Sequence, residues 1–215
     1  MSARETILGN IRAALGRSAL SESESTAMRA KLGEHPRGPM PAMDWEPVVR
    51  FRERALGLSS TVDEIASLPE LPAAVARYLR GNNLPLAGSC WPQFGGMDWA
   101  GQGLAMQPRA AGGEDKVGLT GVFCAVAETG TLMLLSGPQT DAKNSLLPDT
   151  HIAVVPISRI LRSLEDGWAL LRREHGEVPR QVAFVSGPSR TADIELTLVL
   201  GIHGPYRVHI ILLRD

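Results

Sequence analysis

From Trp45 onward the chain alternates short apolar runs with amphipathic stretches, and few folds accept that alternation. Residues 151–156, 181–186 and 208–213 are strand-length apolar runs. Between the first two, residues 158–174 place Ile160, Leu161, Leu164, Trp168 and Leu171 on one side at helical spacing, with Arg and Glu on the other. Strands separated by helices predict an α/β fold. The expected architecture is a single domain over residues 44–215, with a largely parallel central sheet flanked by helices.

Other segments fill in this plan. Residues 47–57 form a helix opened by Pro47 and ended by Gly57. Residues 63–80, interrupted by Pro69 and Pro72, are expected to be two helical pieces, the second from 72. Residues 84–87 read as a short buried strand, and 88–116 as mostly loop with one strand near Leu104 to Met106. Two apolar runs, 118–127 and 131–136, flank a three-residue polar turn and predict a hairpin. Residues 182–185 read as a buried strand. Alternation over 194–200 favours a strand, with a buried helix as the competing reading. At the N-terminus, residues 2–16 predict an amphipathic helix, with Ser2 and Glu5 at capping-box spacing. Residues 17–43, rich in Ser, Glu, Gly and Pro, read as a mobile linker, so 1–43 is expected to be an appendage of helix and linker.

Composition excludes several classes of function. A formal net charge of -1 gives no reason to expect nucleic acid. No apolar run approaches the roughly 20 residues that span a bilayer, and the first residues lack the pattern of a signal peptide, so the expected location is cytoplasmic. The two cysteines, Cys90 and Cys124, lie far apart. They cannot by themselves hold an iron–sulfur cluster, and no His or carboxylate spacing suggests a metal site. No phosphate-loop or dinucleotide fingerprint is present.

Three stretches carry chemistry. Ala127-Glu128-Thr129-Gly130-Thr131 sets one carboxylate in an otherwise apolar turn. Glu128 could serve as base, nucleophile or carboxylate ligand, or could simply accept hydrogen bonds from a tight turn. Ser186 and Gly187, after the 181–186 strand, lead into Pro188, Ser189, Arg190, Thr191, Asp193 and Glu195. Arg190 could fork onto a carboxylate or phosphate, with Ser189, Thr191 and backbone N–H groups donating beside it. The alternative is an Arg190–Asp193 pair that only locks the loop. His203, between Gly201 and Gly204, is a candidate acid or base, or a partner for turn carbonyls. Together these residues outline a pocket for a small anion or phosphate, with Glu128 and His203 as candidate catalysts and Thr129, Gly130, Ser186, Gly187, Ser189, Arg190, Thr191, Asp193 and Glu195 as ligand-binding residues.

These motifs, in order with Ser145-Leu146-Leu147-Pro148 and His151, resemble the lactate-utilisation protein C family, whose core is the LUD domain. The resemblance covers about 117–213. It implies a fold like that of phosphosugar isomerases, glucosamine-phosphate deaminases and coenzyme A transferases. It also implies a role in oxidising L-lactate to pyruvate beside iron–sulfur and redox partner proteins. Three functions stay open on these residues. The first is a non-redox subunit that binds a small carboxylate and no cofactor of its own. The second is a self-sufficient acyl-transfer or sugar-phosphate enzyme. The third is a scaffold or metabolite sensor, homo-oligomeric or bound to another protein through its N-terminal helix.

Overall fold

The computed structural model describes residues 2–18, 20–191 and 199–214. The chain divides into two compact units, Met1–Ala42 and Met43–Asp215. The first holds α1 (Ala3–Ala14) and α2 (Glu22–Gly33). Each opens with a reciprocal capping box, Ser2 with Glu5 and Ser21 with Glu24. The second helix falls inside the stretch expected to be a linker. Its cap satisfies the first orphan N–H groups, and Ala, Met, Leu and Lys then outweigh the Ser and Glu that suggested disorder. Neither helix buries a residue.

The second unit begins with α3 (Pro47–Gly57), β1 (Thr61–Ile65) and α4 (Leu71–Gly81). Next come β2 (Ala87–Cys90), β3 (Ala105–Pro108) and β4 (Val117–Thr120). The hairpin of β5 (Cys124–Val126) and β6 (Thr131–Leu135) follows, then α5 (Lys143–Leu146) and β7 (Thr150–Pro156). The chain continues through β8 (Ile160–Leu161), α6 (Leu164–His175) and β9 (Val182–Val185). It closes with β10 (Arg190–Thr191), β11 (Val199–Leu200) and β12 (Arg207–Leu213).

Six strands form an all-parallel sheet in the order β1-β12-β7-β4-β2-β3. The α/β fold is therefore as the alternation implied. The central strands β4, β7 and β12 are buried almost throughout, because helices and loops cover both faces of a parallel sheet. Phe51 of α3 and Leu71 and Leu79 of α4 are fully buried in the same core as Leu119, Ile152 and Ile210. A second sheet, ordered β8-β5-β6-β9, packs α6 on a smaller core of Cys124, Met133, Leu170 and Leu171. β10 and β11 form an antiparallel ribbon.

Several local expectations need correction. Residues 63–80 do not begin with a helical piece. Thr61–Ile65 is an edge strand whose Asp63 and Glu64 reach Arg77, Arg52 and Arg214 at its rim, and a single 3₁₀ turn, Leu68–Glu70, leads into α4. The strand expected at 84–87 starts at Ala87, since Pro85 has no N–H to give a ladder. Helix α6 starts at Leu164, where Ser163 and Asp166 close a capping box; the Ile160 and Leu161 read as its first turn form a strand instead. β9 is an edge strand, with Phe184 41% exposed, and is not the buried strand its composition suggested. Most of 194–200 lies outside the described residues; its last two pair as β11.

Candidate functional site

Glu128 and Thr129 sit in the β5–β6 turn, held from beneath. Gly130 adopts φ +70°, and a Cβ there would come within 2.7 Å of the Ala55 nitrogen of α3, so only glycine lets the turn lie on that helix. Backbone bonds fix the other side: Glu128 N–H donates to Arg162 O (3.0 Å), and the Arg162 guanidinium donates to Met43 O and Trp45 O just before α3.

The second motif meets this turn. Thr131 Oγ1 lies 2.7 Å from Thr129 Oγ1 and 2.7 Å from Ser186 Oγ, a three-hydroxyl relay between segments distant in sequence. Gly187 has φ +78° and would place a Cβ 2.4 Å from Leu58 O. Arg190 reaches the end of α3, its Nη2 donating to Leu58 O (3.0 Å) and Ser59 Oγ (2.7 Å). A cation there satisfies an orphan carbonyl and complements the helix dipole. Ser59 takes φ +68°, a left-handed conformation that Ser rarely adopts, and the Arg190 bond supports it.

Between α3 and the Glu128 turn lies an open cleft of about 530 Å³, lined by Glu53, Arg54, Gly57, Leu58, Glu128 and Thr129. Glu53 is paired with Arg50 at 3.3 Å. The charged residues of its lining are Glu53, Arg54 and Glu128. His203 is exposed and does not line the cleft. Its loop docks on the second motif instead: Gly201 N–H donates to Ser189 O (3.0 Å), and Ser189 N–H donates to Pro205 O (2.9 Å). Thr191 pairs with Val199 in the ribbon. Asp193 and Glu195 lie outside the described residues. Sequence reasoning missed Arg54, which stands among other arginines on α3 with no local signal.

Cys90 and Cys124 are buried free thiols, and loss of solvation pushes them up to about 11 and about 12. They are protonated and unsuited to metal or nucleophilic work near neutrality. Among the described residues, no three His, Cys, Asp or Glu side chains are grouped to hold a metal ion. No helix among them is long and apolar enough to cross a membrane.

The order and spacing of the two motif turns, now seen to meet at Thr131 and Ser186, can be set beside known proteins. The family model described as the LUD domain matches residues 105–213. The chain belongs to the LUD domain family. The match spans both turns and the His203 loop of this LUD domain protein, while Arg54 lies before it. The chain is 35% identical over 131 residues to lactate utilization protein C of Bacillus subtilis, covering 58% of this chain and 54% of that one. It is 41% identical over 102 residues to lactate utilization protein C 1 of Bacillus mycoides, covering 46% and 44%. It spans about half the length of the curated relatives it matches. A crystal structure of a DUF162 family protein from Deinococcus radiodurans superposes with a TM-score of 0.59 at 25% identity, covering 80% of this chain and 99% of that chain.

Proposed function

We propose that this LUD domain protein serves lactate utilisation by holding a small α-hydroxy acid in the cleft between α3 and the Glu128 turn. The relatives' names supply the pathway. The observation that carries the chemistry is that a guanidinium-bearing and a carboxylate-bearing residue, Arg54 and Glu128, line one cleft. A hydroxy acid has one carboxylate for the guanidinium and one hydroxyl hydrogen for the glutamate. Arg190, Ser186 and Gly187 position the walls through Leu58 and Thr131 rather than touching the ligand.

In this reading the chain is a non-redox component, and iron–sulfur partner proteins carry the electrons, since two buried thiols cannot complete a four-thiolate cluster. Calorimetric titration with L-lactate tests the site. Wild type binds lactate in preference to pyruvate, whose keto oxygen offers Glu128 no proton. Arg54 is exposed, so Arg54→Gln leaves the fold intact and weakens lactate binding roughly 10- to 100-fold, the worth of a charge-assisted hydrogen bond. Equal binding by the two proteins refutes the site. A deletion strain that oxidises L-lactate at full rate refutes the pathway.

A further inference from the structure

A second opening lies at the carboxyl ends of the parallel strands. Trp91 and Gln93 follow β2, Gly121 and Val122 follow β4, and Pro156 and Leu213 end β7 and β12. From this edge the connections diverge. β2 leads outward to its neighbour β3, whereas β4 leads on to β7 at its opposite flank. Two adjacent strands whose onward chains leave in opposite directions keep an uncovered crevice between their ends, which is where open α/β sheets bind ligands.

The crevice is present here as two clefts, of about 220 and about 390 Å³, which share Gln93 and Val122. Neither is lined by Asp, Glu, Lys or Arg among the described residues. Trp91, Phe94 and Phe123 are among their lining residues, and the His175 and Phe123 rings meet in a T-shaped pair with centroids 5.5 Å apart. Trp91 is pinned by its indole N–H, which donates to Asp141 O at 3.0 Å. The Gln93 side chain, exposed at the junction, makes no hydrogen bond with any described residue. It rests against Gly121, where a Cβ would come 2.6 Å from Gln93 Nε2. A carboxamide offers one donor and one acceptor side by side.

We propose that this crevice binds an uncharged, planar ring compound with an amide- or imide-type edge, its ring against the aromatic walls and its polar edge paired with the Gln93 carboxamide. An anion such as lactate finds no Lys or Arg in this lining, and the crevice shares no residue with the Arg54 cleft, so the proposal does not rest on the lactate reading. The probe is lumichrome, a neutral tricyclic ring with an imide edge, followed by its own fluorescence on the full chain. Saturable one-to-one binding is expected, unaffected by excess L-lactate. Gln93→Leu, at an exposed position, should weaken it about tenfold, the effect of losing a neutral amide pair. The N3-methyl derivative should bind wild type and Gln93→Leu alike. Absence of saturable binding, equal lumichrome affinity in Gln93→Leu, or displacement by L-lactate overturns the proposal.

Discussion

Acidification should unfold this protein through two histidines buried inside its main sheet. His151, at the start of β7, is fully buried; its Nε2 lies 2.8 Å from Thr120 Oγ1 and its Nδ1 has no hydrogen-bond partner among the described residues. His209, on the neighbouring strand β12, sits with Nδ1 2.8 Å from Thr61 Oγ1 and stacks on Tyr78 at 3.7 Å. Burial holds both down at about 4, with Asp63 pulling weakly the other way on His209. An unfolded histidine titrates near 6.5. Between those values the unfolded chain takes up protons that the folded chain refuses, so stability rises with pH across that window. It is fully present above about 6.5 and is lost as pH falls towards 4. From pH 7 to pH 5 each histidine should cost about 2 kcal/mol, roughly a 30-fold shift in the folding constant. Burial pushes Asp63 up, but bonds from Arg77 and the Glu64 N–H together outweigh it, and the Arg109 hydrogen bond lowers Asp115; both carboxyls are held below their usual value of 3.8, so their losses fall at lower pH. Urea unfolding followed by tryptophan fluorescence, at both pH values, measures the effect in wild type and in His151→Gln. Gln can still meet Thr120 but does not titrate. The variant should be less stable at pH 7, yet lose about 2 kcal/mol less than wild type on going to pH 5. Parallel losses in the two proteins would refute the argument, and His209→Gln gives the same comparison should His151→Gln not fold.

Two further outcomes follow from the geometry. Gly187→Ala combines a left-handed backbone with a Cβ 2.4 Å from Leu58 O, so it should lower stability by about 2 kcal/mol or more, read as a shifted urea midpoint; an unchanged midpoint contradicts the packing of the second motif on α3. Cys90 and Cys124 should react with a thiol reagent at pH 8 only as fast as the chain opens, and rapidly in denaturant; quick modification of the native protein contradicts their burial.

The class of fold was legible because the apolar runs of β7 and β12 are continuous and strand-length, and a run buried on both faces needs helices around it. Capping residues were equally readable, as Ser2 with Glu5 and Pro47 at the first turn of α3 act on their immediate neighbours. β1 was not legible. Its Asp63 and Glu64 suit an edge strand only because Arg77 and Arg214, from α4 and the end of the chain, stand beside it. The turn at Glu128 and the segment after β9 announced themselves as unusual chemistry, yet their roles belong to tertiary structure. Arg190 carries the features of an anion ligand in sequence, and the fold adds bonds from its Nη2 to the end of α3, while Arg54, unremarked on its helix, lines the same cleft as Glu128. The strand-end crevice at Gln93 left no mark in the chain at all, because it is made by the direction in which β2 and β4 send their connections. Local interactions are written in neighbouring residues, whereas a site assembled across strands exists only once strand order is set.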